Sequence, residues 1–88
     1  MRSSPLKVNI KYFASIRESM ARAEETVETY ASSIEVLRAE LIAKGAPYAQ
    51  SLAKEKAIRV ALNQELVSTE TTIQDGDEVA FFPPVTGG

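Results

Sequence analysis

The chain's 88 residues, 44% hydrophobic and 25% charged, suit one small globular domain, and a core of that size leaves little stability to spare for a deep catalytic cleft. Ten basic residues against twelve acidic ones give a net charge of -2 with no basic stripe, so neither nucleic acid nor an anionic membrane is an expected partner. With no cysteine and no histidine, the chain lacks disulfides, thiolate nucleophiles, imidazole bases and nearly every zinc-site pattern, and no metal site is expected.

Residues 6–13 alternate, with Leu6, Val8, Ile10 and Tyr12 on one face and Lys7, Asn9 and Lys11 on the other, the pattern of a half-buried strand. In residues 14–23, Ile16 and Met20 stand four apart with charged residues between them. This suits a short helical turn leading to a second strand at residues 25–30, rich in Thr, Val and Tyr. Ser32 and Glu35 fit a capping box, from which Ile34, Leu37, Leu41 and Ile42 form the apolar stripe of a helix that Gly45 ends. Pro47 opens a short helix with Tyr48 and Leu52 on one face.

A third strand follows, with Ile58, Val60 and Leu62 alternating with Arg59 and Ala61. Asn63-Gln64 turns it into a short strand at residues 66–68, and Asp75-Gly76 marks a tight turn before the last strand at residues 78–82. The order predicts an α+β fold, a β-grasp in outline, in which a mixed sheet packs on one main helix over residues 1–82. The N-terminal segment leads into no apolar run of signal-peptide or membrane-spanning length, so a cytoplasmic protein is expected.

Residues 83–88 form a tail. Pro83-Pro84 cannot continue a hydrogen-bonded ladder and favours an extended exit from the sheet, after which Val85, Thr86, Gly87 and Gly88 make a thin arm. Glycines admit backbone to a narrow channel that a Cβ would block. A terminal carboxylate with a pKa of roughly 3.5 is an anion at neutral pH and a poor acyl electrophile until it is activated, for example as an acyl-adenylate. The alternative is a frayed terminus with no chemistry of its own.

Two aromatics break the polar faces of their strands. Phe13 shares parity with Lys7, Asn9 and Lys11, and Phe82 with Glu78 and Ala80, whereas Val79 and Phe81 point toward the expected core. Leu66, beside the Asn63-Gln64 turn, joins them as a candidate partner surface. The competing reading is that strand-end twist or a covering loop buries one or both aromatics. Arg17-Glu18 reads as a solvated surface pair, and Asp75 with Asp77 as a turn rather than a paired-carboxylate site.

The block from Asp75 through Phe81-Phe82-Pro83-Pro84 to Gly87-Gly88, together with Asn63-Gln64, Leu66-Val67-Ser68, Tyr12-Phe13-Ala14 and Arg17-Glu18, resembles the MoaD family, the ubiquitin-like sulfur carrier subunits of molybdopterin synthase. The resemblance covers nearly the whole chain but gives no signal over residues 46–56. It implies that an adenylating enzyme of the MoeB family uses ATP to activate Gly88. A sulfur donor then converts the acyl-adenylate to a thiocarboxylate, and the tail residues Pro83, Pro84, Val85, Thr86 and Gly87 carry it into the large synthase subunit of the MoaE family. There sulfur passes to cyclic pyranopterin monophosphate within a heterotetramer, two loaded carriers serving each product. Phe13, Leu66 and Phe82 match the family's apolar docking positions.

The implied chain is a non-catalytic subunit that binds no cofactor itself. Alternatives are a carrier for thiamin or cysteine synthesis, a ubiquitin-like modifier that forms isopeptide bonds, and an interaction domain with an inert tail.

Overall fold

The computed structural model describes residues 4–84. Five strands, β1 (Leu6–Tyr12), β2 (Glu24–Thr29), β3 (Arg59–Leu62), β4 (Glu65–Val67) and β5 (Glu78–Phe82), form one sheet in the order β2-β1-β5-β3-β4. The central pair β1 and β5 is parallel and the other pairings are antiparallel, the expected mixed sheet. Three helices accompany it, α1 (Ala14–Met20), α2 (Ile34–Ile42) and α3 (Tyr48–Ser51). The period-2 residues Val8, Ile10, Tyr12, Val60, Val79 and Phe81 are all buried, and so are Ile34, Leu37 and Leu41 of α2. Strand face and helix stripe thus close on one core.

The start of α2 differs from the expected capping box. Ser33, not Ser32, is the N-cap, and its Oγ accepts from the Val36 N–H at 3.3 Å. The residue three positions on is therefore a valine, which has no side-chain acceptor to return the bond. The remaining free donors at this end are met by a neighbouring loop, with Ile34 and Glu35 donating to the carbonyls of Thr71 and Thr69. Tertiary backbone partners replace the local box. Gly45 has φ +90 just past α2, as expected for the residue that ends it.

Two turns set the sheet's register. Asn63 and Gln64 both have positive φ, 51 and 73, the geometry of a tight hairpin turn whose twist matches its strands. At the start of β5, the Gly76 N–H donates to the Lys7 carbonyl, while Asp75 Oδ1 accepts from the Lys7 N–H and Asp77 Oδ2 from the Gln74 N–H. Gly76 has φ +90, a conformation that glycine adopts without the strain a Cβ would bring. Both aspartates therefore serve the turn, as the sequence reading had it.

A polar knot ties α3 to the sheet. The Glu25 carboxylate accepts from the hydroxyls of Tyr12 (2.7 Å) and Tyr48 (2.9 Å) and pairs with Arg22 at 2.7 Å. Burial alone would raise the Glu25 pKa, but the two hydroxyls and the charges of Arg22 and Lys44 outweigh it and hold the carboxyl below its ordinary value. Tyr12 moves the other way, pushed up by burial and by its bond to the carboxylate.

A depressed carboxyl contributes stability above its unfolded pKa, and that contribution is lost as pH falls through the folded value. Glu25→Gln should therefore lower stability by about 1–2 kcal/mol at neutral pH. The gap to wild type should close as pH drops below about 4, which thermal melts across pH would measure.

Candidate functional site

The last strand delivers its chain end to the surface between α1 and β3. Arg59 lies opposite Phe82 in the β3–β5 register, and the Phe13 N–H donates to the Phe81 carbonyl, extending the β1–β5 pairing by one residue. Phe13 and Phe82 therefore stand side by side on the outer face. Their rings stack with centroids 4.7 Å apart and planes 4° from parallel, an arrangement worth about 0.5–1.5 kcal/mol beyond the area it buries. Neither is absorbed into the core: Phe13 is 37% exposed and Phe82 half-buried.

Leu66, 60% exposed on the edge strand, completes the surface. A shallow depression of about 550 Å³ is lined by Phe13, Ala14, Arg59, Leu66, Phe82, Pro83 and Pro84. The three residues expected as a partner surface thus meet in one place, at the root of the tail. Directly behind, Phe81 is fully buried and stacks on Tyr12 at 6.3 Å. The parity argument that separated Phe81 from Phe82 holds.

Pro83 is half-buried and Pro84 exposed, and neither belongs to a strand. The expectations for Val85, Thr86, Gly87 and Gly88 lie outside the described residues. On the other flank of Pro83-Pro84 is a second depression of about 500 Å³, whose lining includes Ser15, Ser19, Ser51, Lys56 and Ile58. Ser19 and Ser51 share a hydrogen bond across it, joining α1 to α3. Arg17 and Glu18 are exposed on α1 and line neither depression.

Several contributors were not singled out in the sequence. Ala14 has φ 53, a left-handed conformation that costs a residue with a Cβ about 1 kcal/mol. It turns the chain sharply after Phe13 and puts its own methyl in the lining. Ala61 and Ala80 pair in register on the outer face yet are only 4% exposed. Small side chains there sit low between Lys11 on one side and Leu66 on the other, both in the same cross-strand row. Arg59 alternates outward in β3, but its place beside Phe82 depends on a strand pairing with no local sequence signal.

The fold has counterparts among known proteins. The chain aligns with a Haloferax volcanii protein solved in solution over 100% of its own length and 92% of the other's, with a TM-score of 0.80 at 22% identity. That level of identity speaks for the fold alone. It also aligns with the Helicobacter pylori complex of subunits 1 and 2 of molybdopterin-converting factor, with a TM-score of 0.60 and 29% identity over 94% of this chain and 100% of that one.

In sequence, the molybdopterin synthase sulfur carrier subunit of Haemophilus influenzae is 41% identical over 81 residues, 92% of this chain and 99% of that protein. The model of the ThiS family matches residues 10–88, a span that holds Phe13, Leu66, Phe82 and the diglycine together. The chain belongs to the ThiS family of ubiquitin-like β-grasp proteins, and within it to the molybdopterin synthase sulfur carrier subunits.

Proposed function

We propose that Gly88 is the acyl site of this carrier. An adenylating enzyme of the MoeB family joins the Gly88 carboxylate to AMP, releasing pyrophosphate from ATP. A sulfur donor then displaces AMP to leave a thiocarboxylate. The loaded tail enters a large synthase subunit of the MoaE family, where its sulfur passes to cyclic pyranopterin monophosphate. The chain holds no cysteine or histidine, and in this reading the partners supply the acid-base groups for these steps. Its own contribution is presentation.

The observation that carries this reading is the partly exposed Phe13–Phe82 stack, with Leu66 beside it, at the root of Pro83-Pro84. A solvated apolar surface at the tail's exit gives a partner a grip that fixes where the tail enters. The Helicobacter pylori relative, solved as a complex of subunits 1 and 2, supports a second subunit as the partner.

Complementation separates this pathway from its relatives. Expression should restore molybdopterin synthesis in a strain lacking its own synthase sulfur carrier, and should not restore thiamin synthesis in a strain lacking that pathway's carrier. Rescue of the thiamin strain alone would assign the chain to the other pathway. High-mass conjugates dependent on Gly88 would make it a modifier.

A further inference from the structure

The two depressions meet at Pro83-Pro84, and each contributes one cation. Arg59 stands across from Phe82 and lines the otherwise apolar surface. Lys56 lines the serine-bearing cleft on the opposite flank. Both are exposed. Among the described residues the ion pairs are Lys11–Glu78 and Arg22–Glu25, and neither Arg59 nor Lys56 has a carboxylate partner.

Lys56 also sits on a fixed backbone. The Arg38 guanidinium donates to the carbonyls of Leu52, Ala53 and Lys56, which pins the loop before β3. The opposite end of β5 has the reverse charge, since that strand begins after Asp75 and Asp77 with Glu78 as its first residue. An acidic chain of net charge -2 therefore places, on each side of its tail's root, a cation that has no carboxylate partner among the described residues.

The tip of the arm is an anion, whether carboxylate or thiocarboxylate. A channel that stabilises an anionic tip needs positive groups in its depth, and such a channel would repel a cationic root unless its rim were acidic. We propose that Lys56 and Arg59 form a cationic collar recognised by an acidic rim around the tail-accepting channel of the large synthase subunit. The collar steers and orients the encounter before the apolar surface seats. This rests on the docking role proposed above.

Association of the full chain with the large subunit, followed at low and high salt, tests the collar. The wild-type association rate should fall as salt rises. The double charge reversal Lys56→Glu/Arg59→Glu should slow association about tenfold at low salt and invert the salt dependence, with a smaller change in dissociation. The neutral pair Lys56→Gln/Arg59→Gln should flatten the salt dependence, and it provides a second reading if the reversal perturbs folding. Thermal midpoints equal to wild type would mark both variants as folded.

Association of folded variants at the wild-type rate and with the wild-type salt slope overturns the collar. If Phe82→Asp nonetheless weakens the complex, the docking reading survives without it. If the wild-type chain does not bind the large subunit at all, both fall.

Discussion

A chain shortened by one residue, ending at Gly87, is expected to fold as stably as the full chain and to transfer no measurable sulfur. Among the described residues the last strand ends at Phe82 and the core closes with Val79 and Phe81, upstream of the deletion. The new end would still be a glycine carboxylate with the same intrinsic reactivity. What changes is reach. Removing one residue withdraws the reacting carbonyl by up to about 3.5 Å, whereas attack needs the reacting atoms within about 3–3.5 Å of one another. A misplacement of that size costs at least roughly a hundredfold in rate. Molybdopterin formation in a system reconstituted from carrier, activating enzyme, sulfur donor and large subunit would measure it. An inert tail predicts indifference to the deletion.

Phe82→Asp should weaken the complex with the large subunit by about 2–4 kcal/mol, a loss of roughly 30- to 1000-fold in affinity, while leaving the carrier folded. The substitution removes one half of the partly exposed stack and puts a charge into the apolar surface that a partner must desolvate. Its neighbour supplies the contrast. Phe81 is fully buried against Tyr12, and Phe81→Ala should cost about 3–5 kcal/mol of stability, a large share of the roughly 5–15 kcal/mol typical of a whole domain. Adjacent residues of one strand should thus fail in different assays, one in binding and the other in melting. Unfolding of Phe82→Asp, or undiminished binding by it, would count against the docking surface.

The opposite fates of Phe81 and Phe82 were legible in the sequence because strand parity is a local property. Given β5, its faces follow. The same holds for α2, whose stripe Ile34, Leu37 and Leu41 is buried as the spacing demands, and for the Asn63-Gln64 turn. What escaped was set by contacts between distant segments. The donors at the start of α2 are satisfied by the carbonyls of Thr69 and Thr71, so the cap moved to Ser33 and no Glu was needed. Arg59 came to line the apolar surface through its register with Phe82. Glu25 looks like an ordinary strand carboxylate until Tyr12, Tyr48 and Arg22 converge on it. The stretch from Ala46 to Ala57 was the least readable, and its role rests on Arg38 holding its carbonyls and on Ser51 meeting Ser19. No periodicity encodes such bonds.

Among the described residues, no helix is long and apolar enough to cross a membrane.

The central claim is that Gly88 carries sulfur, and intact-mass analysis of the full chain tests it most directly. After incubation with the activating enzyme, ATP and a sulfur donor, the mass should rise by the replacement of one oxygen with one sulfur. The change should map to the C-terminal fragment and should not appear when ATP is withheld. An unchanged mass under conditions that load a known carrier, or a gain located elsewhere in the chain, would contradict it.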